Sequence, residues 1–221
     1  MAQLLGHERV AADGAEPDQW LYVLHGVFGA GRNWGSVARR VVRARPEWGA
    51  LLVDLRQHGA SQGFAPPHTV AAAVEDLAAL ASHEVPAAAV LGHSFGGKVA
   101  LAFAATRPPG LRQVWVVDST PEAREPGGTA WRMLEVVRGL PDAFASRDEL
   151  VDALEAAGFA RPIGQWMATN LVPVDGALTW RFDLDAMEEL LLDFFRLDLW
   201  PVVERPPSGV AMHIVKASES S

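Results

Sequence analysis

Residues 91–97 read Leu-Gly-His-Ser-Phe-Gly-Gly and carry the strongest structural signal in the chain. It follows an apolar run typical of a buried strand and precedes a helical pattern, Gly97–Arg107. In that setting G-x-S-x-G is typical of a sharp turn that carries a nucleophilic serine, here Ser94. Such a turn needs small neighbours two positions away on either side, because its backbone segments approach closely. Gly92 and Gly96 meet that need.

The same stretch allows two other interpretations. A glycine-rich loop between a strand and a helix could hold Ser94 without any chemical role. Residues 92–98 also match most of the phosphate-binding motif G-x-x-x-x-G-K-[ST], with Lys98 as its lysine. The next residue is Val99, which has no hydroxyl to bind Mg²⁺, so the sequence disfavours a nucleotide-binding loop.

Short apolar runs alternate with helical patterns along the chain. Continuous aliphatic runs are typical of strands that are buried on both faces of a parallel sheet. The alternation therefore predicts an α/β protein with a mostly parallel sheet flanked by helices. A short strand or hairpin within residues 3–10 has weaker support. The predicted strands are Trp20–His25, Ala50–Asp54, Ala87–Gly92, Val114–Asp118 and Val210–Val215, and the predicted helices are Ser36–Arg45, Val70–Ser82 and Gly97–Arg107.

The alternation stops after the strand that ends at Asp118. About ninety residues pass before the next buried-strand run, which is too long for a simple crossover. We expect an inserted helical cap, and we divide the chain into a core (1–125), a cap (126–205) and a return to the core (206–221). The helical patterns within the cap are Thr129–Gly139, Arg147–Ala157, Arg161–Leu171 and Asp185–Arg196.

A second glycine-rich loop, residues 25–29 (His-Gly-Val-Phe-Gly), follows the first long apolar run. Such a loop can present a backbone N–H to the oxyanion that forms during acyl transfer. We expect the Val27 N–H to be one donor, with the Phe28 N–H as a less favoured choice, and the Phe95 N–H to be the other. The Phe28 side chain is expected to contact the substrate. We expect His25 to support the loop by hydrogen bonding rather than to act as a base.

Aspartates follow two of the predicted strands. Asp118 lies at the sheet edge that carries Ser94, where a carboxylate could orient a catalytic histidine. A helix or turn cap is the alternative role for Asp118. Asp54 and Arg56, within residues 54–61 (Asp-Leu-Arg-Gln-His-Gly-Ala-Ser), are expected to tie down the loop, since polar residues in turns usually satisfy backbone groups.

Composition excludes several classes of protein. The 221 residues include no cysteine, which rules out a disulfide scaffold, a cysteine nucleophile and thiolate metal sites. Asp and Glu number 27 against 19 Lys and Arg, and a net charge of -8 argues against nucleic acid and anionic membranes as partners. Neither a membrane-spanning run nor a secretory signal pattern is visible, so we expect a cytoplasmic protein.

Taken together, the motifs resemble the alpha/beta-hydrolase superfamily. More narrowly, they look like a branch of small carboxylesterases that includes bacterial acyl-ester and thioester hydrolases and alpha/beta-hydrolase domain-containing protein eleven. The resemblance implies an alpha/beta-hydrolase fold and a serine hydrolase that cleaves small-molecule esters or thioesters through an acyl-enzyme on Ser94, with no cofactor or metal. The segments that carry it are residues 25–29, 54–61, 92–98 and 116–121.

The resemblance also bears on the rest of the triad. In this branch the acid follows the strand before Val210–Val215, which matches Asp118, with Glu219 as a weaker alternative. The family's histidine follows one further strand, and none of the seven histidines occupies that place. We therefore expect the sequence to lack its C-terminal strand, helix and catalytic histidine. Because a serine without a base is a poor nucleophile, a non-catalytic protein of this fold is an alternative. C–C hydrolase, lyase and cofactor-free haloperoxidase activities are others.

Overall fold

Two β-sheets lie within residues 3–217, the part of the chain that the computed structural model describes. The strands are β1 (His7–Val10), β2 (Gln19–Leu24), β3 (Trp48–Val53), β4 (Ala89–His93), β5 (Gln113–Val117), β6 (Ala143–Phe144), β7 (Leu171–Val174), β8 (Ala177–Trp180) and β9 (Ala211–Val215). The main sheet has the order β1-β3-β2-β4-β5-β9. Its pairs are parallel, except that β1 runs antiparallel to β3. The predicted parallel sheet is confirmed, and β1 confirms the weaker prediction of a strand near the N-terminus.

Seven helices begin within two residues of their predicted starts, and the short helix Trp200–Glu204 was not predicted. They are α1 (Gly35–Ala44), α2 (Val70–His83), α3 (Phe95–Ala105), α4 (Gly128–Arg138), α5 (Arg147–Ala156), α6 (Arg161–Ala168), α7 (Leu184–Arg196) and α8 (Trp200–Glu204). Thr69 starts α2 because its side-chain oxygen accepts a hydrogen bond from the Ala72 N–H at 3.1 Å. Helix α3 begins two residues before its predicted start, since the turn at Ser94 leads directly into it.

Successive residues of the central strands are buried on opposite faces of the main sheet. In β2, Val23 packs in a cluster with Val42 of α1, whereas Tyr22 and Leu24 belong to the larger core that contains residues of α2 and α3. This burial on both faces explains why the strands read as continuous apolar runs rather than as an alternation of apolar and polar residues.

The segment between β5 and β9 forms the cap. The sequence predicted a helical cap, but the cap also contains a small β-sheet. Strands β6, β8 and β7 make a three-stranded antiparallel sheet within it. The turn between β7 and β8 is Asp175-Gly176, with φ of 49° and 84°. An Asp-Gly pair is a standard signal for a two-residue hairpin, so the sequence carried this signal and the helical patterns obscured it. The predicted helix Arg161–Leu171 ends earlier, at Ala168, because strand β7 begins at Leu171.

Of the helices in residues 3–217, none is both long and apolar enough to cross a membrane. The cytoplasmic location therefore stays a prediction. The division of the chain at residues 126 and 205 also stays a prediction.

Candidate active site

Ser94 lies at the turn between β4 and α3, in an unusual backbone conformation. Its φ is 50° and its ψ is -117°, a combination that is strained for a residue with a side chain. Its N–H donates to the Val117 carbonyl oxygen at 3.0 Å, and its own carbonyl oxygen accepts from the Gly97 N–H at 2.8 Å. These two bonds hold the turn against strand β5 on one side and helix α3 on the other.

Two glycines make this turn sterically feasible, as predicted. A Cβ atom at Gly92 would collide with the carbonyl oxygen of Gly96. A Cβ atom at Gly96 would lie 2.6 Å from the carbonyl oxygen of His25, closer than real Cβ contacts. The turn therefore packs directly against the end of β2, and this brings the His25 loop beside Ser94.

The loop of residues 26–29 is a tight turn in which the Gly29 N–H donates to the Gly26 carbonyl oxygen at 3.0 Å. Phe28 occupies its third position with a φ of 61°, a left-handed conformation that is rare for a bulky residue. The Phe28 N–H donates to His58 Nε2 at 3.1 Å, so it is not free to bind an oxyanion. This removes the less favoured of the two predicted donors in the loop.

Within the part of the chain that the structure describes, two backbone N–H groups beside Ser94 have no hydrogen-bond partner. No acceptor within residues 3–217 binds the Val27 N–H. Phe95 is the first residue of α3, where an N–H has no acceptor within the helix. Val27, Phe95 and Ser94 line the same cavity. The geometry is therefore compatible with the predicted oxyanion donors.

His25 and His58 form a buried pair with ring centroids 4.8 Å apart. The Nδ1 of each ring faces a carbonyl oxygen, that of Gly26 for His25 and of Arg56 for His58, both at 2.8 Å. Because a carbonyl only accepts, Nδ1 carries the proton and Nε2 is the acceptor. Burial lowers the pKa of His25 to about 4 and that of His58 to about 3, so both are neutral. The predicted supporting role of His25 is confirmed, and His58 was missed although it lies in a motif that was recognised.

Asp54 and Arg56 have the structural roles predicted for them. The Asp54 carboxylate accepts from the N–H groups of Gly31 and Ala60, at 2.7 and 2.8 Å. The Arg56 side chain pairs with Asp76 at 2.7 Å. Both therefore hold the loop after β3 in place.

Asp118 follows β5 directly and lines the same cavity as Ser94. It has a φ of 48°, and its N–H donates to the Val215 carbonyl oxygen at 2.7 Å. His93 also lines this cavity; burial lowers its pKa, while the Asp118 carboxylate opposes that shift. Within residues 3–217, no histidine nitrogen makes a hydrogen bond to Ser94 Oγ. Glu219, the weaker candidate for the acid, lies outside the described residues.

The cavity above Ser94 has a volume of about 910 Å³ and opens between the main sheet and the cap. Its cap-side wall is largely apolar, with Met133, Ile163, Trp166, Leu191, Phe194 and Phe195 among its lining residues. Such a wall suits the hydrocarbon part of a substrate. In the described part of the chain, no three His, Asp or Glu side chains converge to hold a metal ion.

Comparison of the sequence with models of known protein families identifies the family of this chain. The model of the alpha/beta hydrolase family matches residues 21–220. The chain belongs to the alpha/beta hydrolase family. The fold class and the superfamily resemblance predicted from the sequence are thereby confirmed.

Individual members of the alpha/beta hydrolase family are similar over most of this chain. The mouse sn-1-specific diacylglycerol lipase ABHD11 is 32% identical over 203 residues, which cover 87% of this chain and 63% of the mouse protein. Lipase LipV of Mycobacterium tuberculosis is 31% identical over 215 residues, covering 90% and 73% of the two chains. A marine microorganism esterase of known structure superimposes with a TM-score of 0.81 at 18% identity, covering 98% of this chain and 92% of its own. The chain spans less than two thirds of the length of the ABHD11 relatives.

In this alpha/beta hydrolase, Lys98 joins the core to the cap. Its side chain is fully buried, and Nζ donates to the carbonyl oxygens of Glu122, Phe194 and Leu197 at 2.8, 2.6 and 2.7 Å. Burial and the nearby Arg124 guanidinium lower the pKa of Lys98 to about 8. All three donors of the ammonium group are used, which accounts for the lysine that resembled part of a phosphate-binding motif.

Proposed function

We propose that the chain is a serine hydrolase that cleaves carboxylic esters or thioesters through an acyl-enzyme on Ser94. One observation carries the proposal. Ser94 lies at a strained turn in the same cavity as two N–H groups, those of Val27 and Phe95, that have no partner among the described residues. Backbone donors held in this way stabilise the charge that develops on a carbonyl oxygen during acyl transfer.

In the proposed reaction, Ser94 Oγ loses its proton to a base and bonds to the carbonyl carbon of the substrate. The carbonyl π electrons move to the oxygen, which binds the N–H groups of Val27 and Phe95. The tetrahedral intermediate then expels the alcohol or thiol, which takes up the proton, and leaves an acyl group on Ser94. Water attacks this ester by the same steps and releases the acid.

The base of this proposal is a histidine, with Asp118 accepting a hydrogen bond from its ring. The role of Asp118 is supported by its place in the same cavity as Ser94. Within residues 3–217 no histidine hydrogen-bonds to Ser94 Oγ, so the proposal assigns the base to no particular histidine. A carboxylate in this position keeps the imidazole in the correct tautomer and stabilises its charged form.

The substrate that we propose is a small-molecule ester or thioester with a modest acyl chain. The apolar cap-side wall of the cavity supports an acyl chain there, and Phe28 is a candidate contact because it is among the residues that line the same cavity. Relatives named as lipases or an esterase support hydrolysis of carboxylic esters in particular.

A non-catalytic protein of this fold is the second candidate. The observation that favours it is again that no imidazole bonds to Ser94 within the described residues. The two candidates differ in one property, since only an assembled catalytic site makes Ser94 nucleophilic enough to react with a fluorophosphonate.

The experiment measures hydrolysis of p-nitrophenyl butyrate and labelling by a fluorophosphonate. It uses the protein and its variants expressed in the native host cell. Ser94→Ala is the test variant, and Ser36→Ala, which changes an exposed serine of α1, is the matched control. We expect turnover and labelling in the wild type and the control, and neither in Ser94→Ala. Undiminished turnover in Ser94→Ala would overturn the proposal. A folded wild type that neither turns over nor labels would favour the non-catalytic candidate.

A further inference from the structure

Asn170 is a buried cap residue whose side chain reaches the loop beside Ser94. It lies between α6 and β7 and is 5% exposed. Its Nδ2 donates to the Phe28 carbonyl oxygen at 2.9 Å, across 142 positions of sequence. Its backbone is itself fixed, because its N–H donates to Met167 and its carbonyl oxygen accepts from Arg181, both at 2.9 Å. The amide is therefore rigidly aimed at the loop.

Phe28 needs such support because of its conformation. With a φ of 61°, it is in a region that a bulky residue avoids unless its surroundings hold it there. His58, in the core, accepts a hydrogen bond from the Phe28 N–H. Asn170, in the cap, donates one to the Phe28 carbonyl oxygen. The Phe28 ring also packs against Phe182 of the cap, with centroids 5.5 Å apart.

The conformation of Phe28 bears on the direction of the Val27 N–H. The Gly26 carbonyl oxygen accepts from the Gly29 N–H and from His25 Nδ1, at 3.0 and 2.8 Å. Because a peptide unit is planar and trans, the Val27 N–H points away from that carbonyl. If Phe28 left the left-handed region, the bond from Gly29 to Gly26 would break and this peptide could rotate.

We propose that Asn170 is a positioning residue that keeps the Val27 N–H aimed at the oxyanion, by holding the Phe28 carbonyl from the cap. This inference rests on the proposed function, since it concerns one of the two proposed oxyanion donors. It adds a role for the cap besides lining the cavity. The cap holds the loop in the conformation in which the Val27 N–H is available.

The test compares Asn170→Leu, which keeps the approximate volume and removes the donor, with Arg32→Ala. The Arg32 side chain donates to the carbonyl oxygen of Thr169, the neighbour of Asn170, at 3.1 Å. Its loss therefore removes a contact to the same cap segment without touching Phe28. For Asn170→Leu we expect kcat for p-nitrophenyl butyrate to fall by roughly 10-fold to 100-fold, with KM within about twofold of wild type. For Arg32→Ala we expect both values to stay within about twofold.

Amide hydrogen exchange gives a second measurement that does not depend on turnover. We expect exchange at Phe28 and Gly29 to be roughly 10-fold faster or more in Asn170→Leu and unchanged in Arg32→Ala. A wild type without turnover or Ser94 labelling would contradict the proposed function and leave this measurement valid. Wild-type kcat or wild-type exchange in folded Asn170→Leu would overturn the role of Asn170, and so would an equal loss of kcat in Arg32→Ala. If Asn170→Leu does not fold, Asn170→Ala, which also removes the donor, is judged by the same criteria.

Discussion

His58 Nε2 accepts a hydrogen bond from the backbone N–H of Phe28 at 3.1 Å, across 30 positions of sequence. The reverse contact has the same span, because His25 Nε2 accepts from the Leu55 N–H at 3.0 Å. The loops that follow β2 and β3 are thus joined reciprocally, because a histidine in each loop accepts a hydrogen bond from a backbone N–H of the other. The pair fixes the loop that carries Val27 before any substrate binds.

Removing the His58 ring should destabilise the protein, because the Phe28 N–H would be left buried without an acceptor. For His58→Ala we expect the free energy of unfolding to fall by roughly 2–3 kcal/mol in urea denaturation. His83→Ala, which removes an exposed ring, is the control and should stay within about 0.5 kcal/mol of wild type. Equal stability of the two variants would contradict the role given to His58.

Acid should destabilise the protein through the same two histidines. Their pKa values of about 4 and about 3 in the folded protein lie below the 6.5 of an unfolded chain. Above pH 6.5 both states are neutral and the stability is fully present. As the pH falls below 6.5, the unfolded state takes up protons that the folded state does not. The free energy of unfolding then drops by about 1.4 kcal/mol per pH unit for each histidine, down to its folded pKa.

Urea denaturation between pH 6 and pH 4.5 measures this effect. His58→Gln keeps an oxygen that can accept from Phe28 and removes one titrating group. Its stability should therefore fall less steeply with pH than that of the wild type. Parallel pH profiles for the two proteins would show that His58 does not carry the effect.

A methyl group at Gly96 should prevent the turn at Ser94 from forming. It would lie 2.6 Å from the carbonyl oxygen of His25, a backbone atom that cannot move aside without displacing the end of β2. For Gly96→Ala we expect a loss of about 3 kcal/mol or more in stability, and no labelling of Ser94. Gly139→Ala is the control, since its new methyl group would lie 3.4 Å from the nearest atom, at an ordinary contact distance. The idea fails if Gly96→Ala labels like Gly139→Ala.

Lys98 should contribute strongly to the attachment of the cap. Lys98→Met removes three N–H donors and leaves three carbonyl oxygens without them. We expect the free energy of unfolding to fall by about 3 kcal/mol. Lys216, the only other lysine, is exposed, so Lys216→Met is the matched control and should change stability by less than about 0.5 kcal/mol. If Lys98→Met is as stable as this control, the hydrogen bonds of Lys98 do not attach the cap to the core.

Asp118→Asn should impair turnover without impairing substrate binding. In the proposed mechanism the carboxylate sets the tautomer of the histidine, and an amide in its place favours the wrong one. We expect kcat to fall on the order of 10³-fold to 10⁴-fold with KM within about twofold of wild type. Asp142→Asn, at an exposed site of the cap, should behave like the wild type. If kcat of Asp118→Asn stays within about tenfold of wild type, Asp118 is not the acid of the triad.

The turn at Ser94 could be predicted from the sequence because its constraints are local. Gly92 and Gly96 are required by a turn only a few residues long, and the strand before Ser94 and the helix after it are encoded in adjacent residues. The apolar runs of the parallel sheet are equally local, since each strand is buried on both faces. The cap sheet was missed although the Asp175-Gly176 turn signalled it, because short strands beside long helical patterns have little periodicity of their own.

Other relationships had no signal along the chain. His58, Asn170 and Lys98 each act on a backbone group that is 30, 142 or 96 positions away, and such hydrogen bonds leave no periodicity or spacing to read. Sequence alone is enough to name the turn at Ser94 and the α/β architecture, because both follow from contacts between near neighbours. The tertiary structure alone reveals that the Phe28 N–H is already occupied, whereas the Val27 N–H has no partner within residues 3–217, because packing brings the acceptor of Phe28 from a distant loop.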